Sequence, residues 1–127
     1  MTSALAPANA ELEILHLLWK DGPLTVRDIH TVIGKRRDIR YTTVLKTLQV
    51  MAEKGFVTRD ESERSHVYAA ALPESAVKKR LVSEMVDRVF DGSAANLVMQ
   101  ALSTRKATTA ELNEIRRLLD TMKRGED

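Results

Sequence analysis

The chain has 127 residues, 43% of them hydrophobic and 30% charged, with a net charge of +2. These totals suit one domain or two very small ones and exclude a chain disordered throughout, while the net charge is too small to imply nucleic acid by itself. The lack of cysteine excludes disulfides, thiolate metal sites and cysteine nucleophiles, and it fits a reducing compartment.

No apolar run approaches the roughly 20 residues of a membrane span. The N-terminus MTSALAPANA has neither a basic n-region nor a long apolar core. The expectation is a cytoplasmic protein without membrane insertion. Residues 1–8 are expected to be frayed. Asn9 then caps a first helix with Glu11 and Glu13 in its opening turn and Leu12, Leu15, Leu18 and Trp19 at helical spacing. Gly22-Pro23 stops it, and Pro23 to Thr25 can run as a short edge strand. Thr25-Val26-Arg27-Asp28 approximates a capping box ahead of Ile29, Val32 and Ile33, a second helix ended by Gly34.

A basic loop follows, then a third helix over 42–54 closed by Gly55 as its C′ residue. At about 100° per residue, Val44, Leu45, Leu48, Met51 and Ala52 share one face, which belongs in a core. Thr42, Thr43, Lys46, Gln49, Val50 and Glu53 share the other. Residues 35–46 carry Lys35, Arg36, Arg37, Arg40 and Lys46 against Asp38 alone, a local +4, so the remainder of the protein is −2. A basic approach to a helix with hydroxyls, an amide and a lysine near its start suits phosphate contact followed by base reading.

After Gly55 the period becomes extended. Phe56–Arg59 and His66–Ala69 are β-prone and flank the charged turn Asp60–Ser65, a β-hairpin. Three helices and a hairpin describe a winged helix-turn-helix, with the third helix presented by the first two and Arg64 at the wing tip, placed for a phosphate or a minor groove.

Leu72-Pro73 is the expected joint, separating a DNA-binding domain over 1–72 from a helical dimerisation domain over 73–127. In the second part, the helix from Ser75 to Asp91 carries Leu81, Met85, Val89 and Phe90. Ser93 caps a short helix with Leu97 and Leu102, and a Thr108/Glu111 capping box opens a last helix with Leu112, Ile115, Leu118 and Leu119. Three such helices bury little alone, and their wide apolar stripes call for a second copy, a homodimer. The fold class is therefore mainly α with a small β-wing: an N-terminal winged helix-turn-helix and a three-helix dimerisation region.

Trp19, Phe56, Tyr68 and Phe90 are expected as core or core-edge anchors and Tyr41 at the surface. His16, His30 and His66 are scattered, and no nucleophile with a base, paired carboxylates or metal constellation is legible, so neither an enzyme nor a cofactor or metal is expected.

With these motifs placed, the chain resembles the penicillinase repressor family, which includes the repressors of β-lactamase and of methicillin resistance. More distantly it is similar to the copper-responsive repressors. The resemblance covers nearly the whole length and rests on EILHLLW (13–19) with Thr25–Ile29, on YTTVLKTLQVMAEKGFVTR (41–59), on the wing ending in Tyr68, and on Val89–Ser93 with Glu111–Leu119. It implies a dimeric repressor of transcription on an inverted-repeat operator of double-stranded DNA, with half-sites often like TACA and TGTA. It implies reading positions at Thr42, Thr43, Lys46 and Gln49 and backbone contacts from Arg40, Tyr41 and Arg64. The resistance repressors are inactivated, through a membrane sensor and protease, by cleavage at an Asn-Phe bond; here Gln100-Ala101 stands in its place. The copper-responsive branch carries a cysteine-rich motif that this chain lacks. The alternative reading is a winged-helix protein-interaction module without an operator, which steep weakening of DNA binding with salt would exclude.

Overall fold

The computed structural model describes residues 7–125 of the chain. In chain order the elements are α1 (Asn9–Asp21), β1 (Leu24–Thr25), α2 (Val26–Gly34), α3 (Tyr41–Lys54), β2 (Val57–Asp60), β3 (Val67–Ala70), α4 (Glu74–Val89), α5 (Ala94–Thr104) and α6 (Thr109–Lys123). The architecture is mainly α, with one small antiparallel sheet in the order β1-β3-β2.

Local chemistry sets most of the helix starts. The Thr25 hydroxyl accepts from Asp28 N–H at 3.1 Å while the Asp28 carboxylate accepts from Thr25 N–H at 3.2 Å. Thr108 and Glu111 repeat the box at the start of α6, and Ser93 accepts from Asn96 N–H at 3.0 Å to open α5. Each satisfies amides that a helix leaves without an internal partner.

At α1 the expected cap moves by one residue. Asn9 is the first helical residue and Ala8 the cap, its N–H bonded to Glu11 Oε1 at 2.8 Å. The longer reach of Glu11, which also holds Lys54, decides the register. Pro7 is buried and Ala8 is held by this bond, so the frayed start does not extend to residues 7 and 8; residues 1–6 of that expectation lie outside the described residues. Gly34 ends α2 as expected, with right-handed Lys35 following as the C-cap at φ −76°, and the Arg36 and Arg37 N–H groups both donate to the Ile33 carbonyl.

At the end of α3, Gly55 adopts φ 85°, open to glycine at little cost, and Phe56 N–H then reaches back to the Met51 carbonyl at 2.9 Å. This turn consumes Phe56, which is why the strand begins at Val57 and the hairpin sits one residue later than its β-propensity suggests. The register pairs Arg59 with Tyr68 and Val57 with Ala70. The short strand before α2 forms as expected and joins β3, Leu24 facing Tyr68.

The described residues make two compact units, divided between Glu84 and Met85. In the first unit the core combines Leu15 and Leu18 of α1, Ile29 and Ile33 of α2, Val44, Leu48 and Met51 of α3, and Phe56, Val57 and Tyr68 of the hairpin. Each such side chain contributes about 1.5–3 kcal/mol by leaving water. Trp19 is half-buried and donates through Nε1 to the Leu72 carbonyl at 3.0 Å, tying α1 to the chain as it leaves the wing. The second unit has no buried hydrophobic residue among those described; α5 and α6 are amphipathic helices with their apolar side chains largely in solvent. Among the described residues no helix is long and apolar enough to cross a membrane.

Candidate nucleic-acid interface

The helix α3 is divided as its periodicity requires. Val44, Leu48 and Met51 are fully buried, and Leu45 and Ala52 pack against the same core. Tyr41, Thr42, Thr43, Lys46, Gln49 and Glu53 are exposed. Val50, expected on the outer face, is half-buried, because that flank of α3 meets the start of α1. There Ala8, Ala10 and Glu11 line a groove with Thr42, Thr43, Lys46, Thr47 and Val50.

A second cleft lies on the other flank, between the start of α2, the start of α3 and the wing. Thr25, Val26, Arg27, Tyr41, Leu45, Arg64, Ser65 and His66 line it. The fold thus brings Tyr41 and Arg64, far apart in sequence, to one hollow. It adds Arg27, which reasoning from sequence did not single out. Arg27 has Asp28 beside it and no neighbouring cation, so no charge run marked it. The available signal was its place in the exposed first turn of α2, beside the Thr25 cap.

Two groups position the entrance to α3. His30 Nε2 lies 2.8 Å from the Ile39 carbonyl oxygen, and since that oxygen only accepts, Nε2 carries the proton. The same imidazole meets the Tyr41 ring edge-on at 5.8 Å. Together they orient the residues on either side of Arg40, the N-cap of α3. At the far end of the helix, Lys54 Nζ reaches Glu11 Oε2 at 3.0 Å, a carboxylate that is almost wholly buried.

The basic loop is less free than its sequence implies. Arg37 Nη2 lies 2.8 Å from Glu13 Oε1 and Arg36 Nη1 lies 3.6 Å from Glu13 Oε2. Two of the five cations of residues 35–46 are therefore paired with Glu13. Among the described residues Arg27, Arg40, Lys46 and Arg64 form no ion pair with a carboxylate. Arg59 is tied into the wing by Glu61. Glu53 and Glu61 line a third hollow, with Gln49 and Arg59, beside the second half of α3. Unpaired positive charge thus gathers at the N-terminal half of α3 and negative charge at its C-terminal half. At the wing turn, the Ser62 backbone N–H donates to Asp60 Oδ1 at 2.9 Å, and that bond holds the Asp60 carboxyl below its ordinary value of 3.8.

No group of three or more His, Asp or Glu side chains that could hold a metal ion occurs among the described residues. In the second unit Gln100 and Ala101 are exposed within the helical span of α5. Of the side chains expected to dimerise, Met85, Val89, Leu102, Leu112, Leu118 and Leu119 are exposed, while Leu81, Phe90, Leu97 and Ile115 are half-buried. Val82, Val98 and Met122 of the same apolar stripes are exposed too, as is Met99.

The family described as Penicillinase repressor matches residues 7–121. Transcriptional regulator BlaI of Mycobacterium tuberculosis is 28% identical over 118 residues, which cover 92% of this chain and 85% of that protein. Methicillin resistance regulatory protein MecI of Mammaliicoccus sciuri is 22% identical over 113 residues, 89% of this chain and 92% of its own. Penicillinase repressor of Bacillus licheniformis is 22% identical over 116 residues, 91% of each. Among solved structures, transcriptional regulator Tm0710 from Thermotoga maritima is similar in fold, with a TM-score of 0.51 at 17% identity, covering 93% of this chain and 78% of that one. With a match that runs from the start of α1 through nearly all of α6, the chain belongs to the penicillinase repressor family.

Proposed function

We propose that the protein is a DNA-binding transcriptional repressor that acts as a homodimer on an inverted-repeat operator. The observation that carries this reading is the division of α3: its apolar seam is sealed in the core, while Thr42, Thr43, Lys46 and Gln49 stand in solvent beside cations that have no internal partner. In this scheme α3 enters the major groove and those four side chains meet base edges. Arg40, Tyr41 and Arg64, joined by Arg27, hold phosphates on the flank where the wing lies. The names of the relatives, which describe regulators and a repressor, agree with it.

Dimerisation is supported by the second unit. Met85, Val89, Leu118, Leu119 and Met122 each keep half or more of their surface in water, more apolar exposure than a free-standing domain tolerates. A second copy with the same stripes would cover it, and two half-sites would multiply the discrimination of one. Release would follow from a signal that loosens these helices. If a regulatory protease answering a membrane sensor cuts at Gln100-Ala101, α5 must first unwind, because the bond lies within the helix and the Gln100 carbonyl it would attack accepts from Ser103 Oγ at 2.8 Å.

Selection of bound sequences from a random duplex pool tests the proposal. Recovery of a palindrome, bound with an affinity that falls steeply with salt, is the expected result. Failure to enrich any sequence, with no salt-dependent binding to duplex, would leave the protein-interaction module as the better reading.

A further inference from the structure

We infer that Glu13 occupies the place of a DNA phosphate on Arg36 and Arg37 and withholds both guanidiniums from the duplex. This rests on the DNA-binding reading above. Each oxygen of the Glu13 carboxylate takes a different arginine, at 2.8 and 3.6 Å. A carboxylate and a phosphodiester offer a guanidinium the same kind of paired anionic oxygens, so the two compete for the same N–H donors. Glu13 holds the advantage of position: its side chain is only 22% exposed and it projects from a helix of the core, whereas the arginines, 55% and 48% exposed, stand on a loop. Such pairs between exposed partners add little to stability, so the fold does not need them. Their effect is on charge. The neighbouring Arg40 and Lys46 have no such partner, which divides the basic segment into cations left wholly free for DNA and a pair whose combined +2 Glu13 reduces to +1. Glu13 thereby limits the sequence-independent part of the affinity and leaves more of the binding to α3.

The test uses the full chain and a labelled random-sequence duplex of about three helical turns, titrated across a range of salt. Glu13→Gln should tighten binding several-fold and steepen the dependence of log K on log salt by about 1–2, since each added phosphate contact contributes about 0.9. Replacing Arg36 and Arg37 by alanine in the Glu13→Gln protein, so that no unpartnered carboxylate is left behind, should abolish the gain in salt slope. A thermal melt confirms that each variant is folded. Unchanged or weaker binding by a folded Glu13→Gln variant overturns the inference. So does a gain in the Glu13→Gln protein that survives the removal of both arginines, because the gain would then not come from their guanidiniums. If the parent binds no duplex even at low salt, and Glu13→Gln binds none either, the DNA-binding reading falls and this inference with it.

Discussion

His30 donates from Nε2 to the Ile39 carbonyl at 2.8 Å, and this single bond sets the angle at which the chain enters α3. It bridges α2 to the end of the basic loop, one residue before the N-cap Arg40. Replacing His30 with alanine removes the donor and the edge of the ring that Tyr41 packs on. A hydrogen bond of this kind contributes about 1 kcal/mol net. Operator affinity should fall about five-fold, with helix content preserved, as read by fluorescence anisotropy and circular dichroism. Unaltered affinity would mean that the loop does not orient the contacts.

Lys46 stands one turn into the exposed face of α3. Its replacement by alanine takes nothing from the core, so the melting temperature should hold. If its ammonium meets a base edge, binding to the selected sequence should weaken by about 1–3 kcal/mol and discrimination against random DNA should shrink. Comparing the two duplexes for the parent and the variant checks this; an equal loss on both would reassign Lys46 to the backbone.

Glu11 is the one buried charged residue among those described, at 5% exposure, and it serves both ends of the recognition platform. It accepts from Ala8 N–H at the start of α1 and from Lys54 at the end of α3. Glu11→Ala should cost about 1–2 kcal/mol of stability, from the lost cap and the amine left without its partner. Glu11→Gln, which keeps an oxygen for Ala8, should cost less. Chemical denaturation of both variants decides it.

The Asp60 carboxyl in the wing turn supplies a pH dependence. Its folded value lies below 3.8 because Ser62 N–H binds the ionised form. A lowered carboxyl value contributes stability that is present above the unfolded value and is lost as pH falls through the folded one. The acid-driven shift of the Ser62 amide resonance should therefore have its midpoint below pH 3.8. In Asp60→Asn that acid-driven shift should vanish.

A charge placed on the second unit tests the pairing of copies. Leu119, 53% exposed on α6, should reach a partner if its stripe is the dimer seam. Leu119→Glu should move the protein to a monomer in sedimentation at micromolar concentration and weaken operator binding by ten-fold or more, because the two half-sites are then read independently. The melt of the winged unit should not move. A variant that sediments with the parent would place the seam elsewhere.

Much of the fold is legible residue by residue. The boxes Thr25/Asp28 and Thr108/Glu111 and the Ser93 cap are settled by neighbours three apart, and the seam Val44, Leu48 and Met51 by helical period. The errors lie where a distant partner outbids a local preference. Asn9 is a sound local cap, yet Glu11, anchored by Lys54 far along the chain, pulls the helix start to Ala8. Arg36 and Arg37 read as free charge only while Glu13 is out of view. Arg27 carries only the weak local signal of its place in the first turn of α2 until the hollow with Tyr41 and Arg64 is formed.

Sequence alone determined the elements, the two-faced character of α3 and the family, because caps, turns and hydrophobic period act over a few residues and need no knowledge of the whole. Tertiary structure alone decided which charges remain available. An ion pair such as Arg37 with Glu13, or a hollow shared by Arg27, Tyr41 and Arg64, depends on distances between segments remote in the chain. Coulomb attraction and hydrogen bonding fall off too quickly for such pairings to be read before the core has set those distances.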